Sequence, residues 1–259
     1  MSSRLATKLT VDQTESWEQH GFFLVRGFEA EPTMSTMLER VIEIAQTAAA
    51  GEDIRPVFVL PEARPTPNGV NAEDLVSKVF RLHRDPTFAA FATNERLLGL
   101  LANLFGPDID VFLSQFIFKN PGAMGQPWHQ DSYYFPFEPD HQVGIWLAVT
   151  EASIENGCLH VLPGSHVEPV HEHVPDARPG ANYGYVEIVD HDMTEATAVL
   201  MDPGDLLVFD SHLMHRSTDN VSDGIRAAMV YHYSPAGTVD HTPPRRSIND
   251  WVPVARATS

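Results

Sequence analysis

From Asp108 onward the chain is a succession of short apolar runs cut apart by turn signals, and this pattern restricts its folding options more than any other feature. The runs cover 111–119, 143–150, 158–162, 196–201, 206–209 and 226–234. Between them stand Asn156-Gly157, Pro163-Gly164, Asp202-Pro203-Gly204 and Asp223-Gly224. Short strands spaced in this way build a sandwich or a barrel. There is no βαβ alternation, no GxGxxG and no P-loop, which disfavours a nucleotide-binding α/β fold. The first hundred residues read differently. Thr10-Val11-Asp12-Gln13 fits a capping box, opening a helix that runs to His20 and stops at Gly21. A short buried strand is expected over 21–28, a helix over 32–50, and a second helical stretch over 86–105 broken near Asn94. Residues 52–73, rich in Pro, Asn, Gly and acid, read as an irregular loop. The expectation is a mainly β chain with flanking α-helices. A helical part of about 1–107 buttresses a jelly-roll core of about 108–259, all within the single domain that 259 residues allow.

Chemistry is suggested first by Trp128-His129-Gln130-Asp131. His129 and Asp131 are two residues apart, so on an extended strand both side chains leave the same face. One imidazole and one carboxylate are two of the three ligands of a 2-His-1-carboxylate facial triad, which leaves the opposite face of a non-haem iron open. His215, on another strand, would supply the third. By itself H-x-D is a common pattern, and with 13 histidines in the chain most such pairs are accidental.

The segment His129-Gln130-Asp131-Ser132-Tyr133-Tyr134-Phe135-Pro136-Phe137 resembles the phytanoyl-CoA dioxygenase family of Fe(II)/2-oxoglutarate oxygenases. The likeness continues through Trp146, through 155–166 (ENGCLHVLPGSH), and from Gly204-Asp205 through His215-Arg216-Ser217 to Arg226. The opening, 9–28, is similar to the start of that family. The resemblance implies a double-stranded β-helix (jelly-roll, cupin-like) core, one Fe(II) held by His129, Asp131 and His215, 2-oxoglutarate as co-substrate, O2, and hydroxylation of a small organic molecule. Arg226, eleven residues after His215 and heading the last long strand, is placed for a charge-assisted pair with the distal carboxylate of 2-oxoglutarate. Ser217 is placed to add a hydroxyl to the same pocket. Lys78, Ser114 and Trp146 line the co-substrate site by resemblance alone. Asp131 stands where a related halogenase branch has a small residue, so hydroxylation is favoured over halogenation.

The plainer readings are these. Arg226 could be a structural ion-pair residue serving Asp205 or Asp210. His160, His166, His171, His173, His191, His212 and His232 read as polar loop, turn or packing residues; His171 and His173 mimic a ligand pair, but no carboxylate motif supports them. Trp128, Tyr133, Tyr134, Phe135 and Phe137 either wall the substrate or fill the barrel mouth. Cys158, the single cysteine, rules out an internal disulfide and reads as a small buried hydrophobe. A net charge of −18 argues against nucleic acid and anionic membrane as partners. No apolar run is long enough to span a membrane, and no signal pattern opens the chain, so a cytoplasmic protein acting on a small molecule is expected. The substrate is a lipid or acyl-CoA, with Arg81, Arg84, Arg245 and Arg246 as candidate phosphate partners, or it is of natural-product type. Residues 52–73 and 170–192 are the expected lids. Desaturation or cyclisation by the same chemistry, a jelly roll that binds without turnover, and a cupin-type isomerase or hydrolase remain as alternatives.

Overall fold

The structure, a computed structural model, describes residues 7–63, 71–181, 184–244 and 247–257. The chain runs α1 (Val11–His20), β1 (Phe22–Val25), α2 (Glu31–Ala49), β2 (Phe58–Pro61), β3 (Val76–Phe80), α3 (Pro86–Ala92), α4 (Glu95–Phe105) and β4 (Ile109–Lys119). There follow β5 (Phe137–Glu138), β6 (Val143–Ala148), β7 (Leu159–Val161), β8 (Val174–Pro175), β9 (Val186–Glu187) and β10 (Thr197–Val199). The chain closes with β11 (Leu206–Asp210), β12 (His215–Ser217), β13 (Arg226–Pro235), β14 (Val239–Asp240) and β15 (Val252–Ala255).

An antiparallel sheet in the order β1-β11-β6-β13-β4-β3-β2, with β15 also paired to β4, forms the larger layer. The smaller is β10-β7-β12. Strand parity decides what each face meets. On β13, Ala227, Met229, Tyr231 and Tyr233 join the cluster that contains Met37 and Val41 of α2 and Leu97 and Leu101 of α4. Ala228 and Val230 point the other way, packing with Trp146, Leu207 and Phe209 against Leu159, Val161 and Val199 of the small sheet. The helices therefore cover the back of the large sheet, and the two sheets close on one another as a jelly roll. Two hydroxyls fasten this back layer: Tyr231 donates to the Phe88 carbonyl at 2.8 Å and Tyr233 to that of Ala92 at 3.1 Å. Gly144 explains one tight spot between the sheets, since a Cβ there would lie 2.2 Å from the Phe209 ring.

The N-terminal details follow local rules. Thr10 and Gln13 make the reciprocal capping box, and Gly21 ends α1 at φ +80. The break near Asn94 is an N-cap whose side chain accepts from the Arg96 and Leu97 amides. Several short strands exceed the sequence reading. Part of the stretch expected as loop is β2, which pairs with β3, and β15 pairs with β4 near the C-terminus. Residues 64–70 of that expected lid lie outside the described residues. Among the described residues no helix is long and apolar enough to cross a membrane.

Candidate active site

His129 and His215 face each other across a single antiparallel bridge, each amide donating to the other's carbonyl at 2.9 and 3.0 Å. Asp131 does not continue a strand, as the sequence reading had it; it begins a turn of 3-10 helix, Asp131–Tyr133. The three side chains still converge. Asp131 Oδ1 is 3.5 Å from His129 Nε2 and 3.8 Å from His215 Nε2, and all three residues are buried.

The backbone sets the tautomers. His129 Nδ1 lies 2.7 Å from the Pro127 carbonyl and His215 Nδ1 2.9 Å from that of Leu213. A carbonyl only accepts, so Nδ1 carries the proton and Nε2 presents its lone pair inward. Burial and the adjacent His129 push the His215 imidazole down to about 4, so it is neutral at pH 7. Burial works against ionising Asp131, but the His215, His232 and His129 imidazoles around it hold its carboxyl well below the usual range. His232 was expected to be a polar loop, turn or packing residue; its Nε2 lies 2.9 Å from Asp131 Oδ2, leaving Oδ1 toward the two histidines. The Gln126 amide nitrogen is 3.0 Å from His129 Nε2. Two imidazoles and one carboxylate, each oriented by a second contact, suit a divalent iron.

These groups line a cavity of about 340 Å³. Three buried cations, Lys78, Lys119 and Arg226, line it too. Arg226 and Lys119 are direct cross-strand partners on β13 and β4, a placement that repels unless an anion lies between them. Arg226 is 1% exposed and donates to the Gly157 carbonyl at 3.2 Å, while its Nε and Nη1 have no partner. Gly157 is needed there: a Cβ would lie 2.5 Å from the Thr218 carbonyl. Arg226 also stands 5.3 Å from the centre of the Trp146 ring. Lys119 donates to Ser217 Oγ at 2.8 Å and to the Thr218 carbonyl. Burial pushes Lys78 down to about 8, with Asp131 opposing and Arg226 adding to the shift. Burial and Arg226 lower Lys119 strongly. Among the described residues none of the three cations forms an ion pair. Buried guanidinium nitrogens without acceptors, beside two lysines, fit a dicarboxylate such as 2-oxoglutarate.

Of the residues expected here, the structure brings together His129, Asp131, His215, Arg226, Ser217, Trp146 and Lys78. Ser114 is a correction. The cavity face of β4 carries Leu113, Gln115, Ile117 and Lys119, whereas Ser114 has the other parity and accepts from the His83 amide at 2.9 Å. Asp205, the partner considered for Arg226, pairs with Arg26 at 2.6 Å. Arg84 is held by Asp250 through contacts of 2.8 and 2.6 Å, which removes it from a phosphate cluster. Arg245 and Arg246 lie outside the described residues. His232 and Lys119 were missed. Parity offered a signal for His232, which shares the face of Arg226 on one strand; Lys119 needed the register of β4 on β13, which no sequence pattern states.

The family model for "Phytanoyl-CoA dioxygenase (PhyH)" matches residues 17–228. The chain belongs to the phytanoyl-CoA dioxygenase family. It is thereby an iron- and 2-oxoglutarate-dependent dioxygenase, as the resemblance implied. Among relatives of this family, the peroxisomal phytanoyl-CoA dioxygenase of Bos taurus is 29% identical over 238 residues, covering 88% of this chain and 69% of its own. A probable phytanoyl-CoA dioxygenase of Caenorhabditis elegans is 28% identical over 244 residues, covering 90% and 77%. In fold the chain is similar to the non-heme monooxygenase ThoJ, with a TM-score of 0.72 at 20% identity over 95% of this chain and 85% of that one. It is also similar to EctD from S. alaskensis with bound Fe, at 0.68 and 18% identity over 89% and 78%.

Proposed function

We propose that this chain, acting as one catalytic domain over 1–259, hydroxylates an unactivated C–H bond of a small organic molecule while 2-oxoglutarate becomes succinate and CO2. The observation that carries this reading is that one cavity is lined both by the three converging ligand atoms and by buried cations without counter-ions. In this reading His129, Asp131 and His215 hold Fe(II). Arg226, with Ser217 and Lys78 near it, takes the distal carboxylate of the co-substrate, and Trp146 flanks it. Bound iron would supply the oxygen activation that no side chain here can perform. The protein's own part is orientation and exclusion of water. The backbone carbonyls of Pro127 and Leu213 hold each Nδ1–H and aim Nε2 inward, and His232 keeps Asp131 turned toward them. Tyr185, reaching the cavity from the 170–192 segment, helps close it.

The substrate-facing walls include Leu60, Phe80, Leu113, Phe135 and Ile248, which suit a hydrocarbon portion. A lipid or a natural product of low polarity fits this lining. An acyl-CoA is the second reading, favoured by the bovine relative's name and by Arg81, whose Nε lies 3.3 Å from the carbonyl of cavity-lining Ile248.

The test is an anaerobic titration of the apo-protein with Fe(II) and then 2-oxoglutarate, followed in the visible range. A weak charge-transfer band should grow, be absent in Asp131→Ala, and need more co-substrate in Arg226→Ala. A folded, iron-loaded protein that shows no band would sink the co-substrate assignment. Succinate release with acyl-CoA and uncharged apolar panels then separates the two substrate readings.

A further inference from the structure

A second set of converging ligand atoms lies outside the cavity. Glu168 and His171 sit on the near arm of the long excursion between β7 and β10, and His191 comes from the far arm. His171 Nε2 is 2.8 Å and His191 Nε2 3.0 Å from the same oxygen, Oε2 of Glu168. The two rings stand nearly perpendicular, at 88° with centroids 5.1 Å apart. These side chains are 20 to 35% exposed, so an ion can reach them from solvent.

The proton count leaves one contact of this cluster open to a cation. His191 Nδ1 lies 3.0 Å from the Asp192 carbonyl, which can only accept. In the neutral ring that contact puts the proton on Nδ1 and turns the Nε2 lone pair toward a carboxylate oxygen. Two lone pairs at hydrogen-bond distance repel unless a proton or a cation stands between them. Neutral imidazole nitrogens and a carboxylate oxygen are also the donor set of three-ligand zinc sites.

We propose that Glu168, His171 and His191 bind a divalent transition ion of the Zn2+ class, with water completing the shell. A tetrahedral ion with ligands at about 2.0–2.1 Å separates them by about 3.3 Å. The Glu168–His171 and Glu168–His191 contacts therefore need to open by only a few tenths of an ångström, which half-exposed loop side chains can absorb.

The consequence lies in what the two arms are tied to. Gln130, between His129 and Asp131, donates through Nε2 to the Pro169 carbonyl at 3.1 Å and accepts the His171 amide at 2.8 Å. Its own amide donates to His173 Nε2 at 3.1 Å. The far arm is fixed by the Ile188 amide donating to the Trp128 carbonyl at 2.8 Å. An ion joining the arms cross-braces a cover already stitched to the segment that carries His129 and Asp131. Tyr185 lies between the two attachment points.

Metal content after gel filtration of the untagged full chain tests this. In an Asp131→Ala, His215→Ala background, equilibrated with Zn2+ and desalted, one equivalent should remain bound. Adding His171→Gln and His191→Gln should remove it, with the far-ultraviolet dichroism unchanged. Zn2+ should also slow proteolysis of the 170–192 segment in the wild-type chain but not in Glu168→Gln, which keeps the side-chain volume and loses the charge. Zinc retained equally with and without the two glutamine substitutions, or absent in the parent background, overturns the proposal. If the quadruple variant fails to fold, the wild-type and Glu168→Gln proteolysis comparison decides alone: equal protection by Zn2+ refutes the site.

Discussion

The His129–Asp131–His215 triad and the cation cluster of the cavity are built on opposite principles. At the triad each potential ligand already has a second contact: His129 and His215 through backbone carbonyls, Asp131 through His232. The ligand atoms are thus aimed before anything binds. Around Arg226 the polar groups are only partly satisfied, with two guanidinium nitrogens lacking acceptors beside two buried lysines. The first region spends stability on geometry. The second gathers buried basic groups, two guanidinium nitrogens among them without acceptors, an electrostatic deficit that a bound anion would relieve.

Removing the deficit should have the largest effect. Arg226→Met should weaken 2-oxoglutarate binding by roughly 2–4 kcal/mol, about 30- to 1000-fold, as judged from the charge-transfer titration. The same variant should melt higher than wild type without ligand, because it no longer buries an unpaired charge. A lower melting temperature would mean that the Gly157 and Trp146 contacts compensate Arg226 fully. On the other side of the comparison, His232→Ala should reduce iron affinity by about 10- to 100-fold and leave co-substrate affinity of the iron-loaded protein nearly unchanged. Competition with a chelator measures the first quantity.

Lys78 gives the comparison a pH axis. Burial lowers it from 10.5 to about 8, so between these values the unfolded chain binds a proton that the folded chain does not. Stability of the apo-protein should therefore rise with pH across that window. Co-substrate affinity should fall across it, since only the charged amine attracts a carboxylate. Dissociation constants measured from pH 7 to 9 should show this fall, and Lys78→Met should flatten it. The smallest effect is expected at Ser114. Ser114→Ala should leave co-substrate binding untouched and shift the urea midpoint by an amount worth about 1–2 kcal/mol, because the buried His83 amide loses its acceptor. Weakened co-substrate binding in that variant would restore Ser114 to the site.

Much of this could be read from the chain, and the limits have physical causes. Capping chemistry is local, so Thr10, Gln13, Gly21 and Asn94 announced their helix ends correctly. Strand existence was legible from apolar runs, but β2 was hidden by its proline-rich, polar surroundings. Where spacing and family likeness agreed, as for His129, Asp131, His215 and Arg226, the side chains do line one cavity. Ser114 failed by one residue, and on a pleated strand one residue is the difference between the cavity and the layer behind it. The Glu168–His171–His191 cluster depends on two arms of an irregular loop meeting, which no periodicity encodes.

The His129–His215 bridge has a consequence for how such a chain can change over evolutionary time. Two histidines of the proposed iron triad, paired by reciprocal backbone hydrogen bonds, inherit their separation from the pleat of a single β-bridge, whatever the chain does between them. Residues can then be inserted or deleted in the long excursion between β7 and β10, where the cover is made, without moving either imidazole. Only a register slip at the bridge itself would break the pair. The scaffold thus separates a part that cannot drift from a part that can, so new substrate preferences are open to insertion and loss in the cover while the oxidising centre stays fixed.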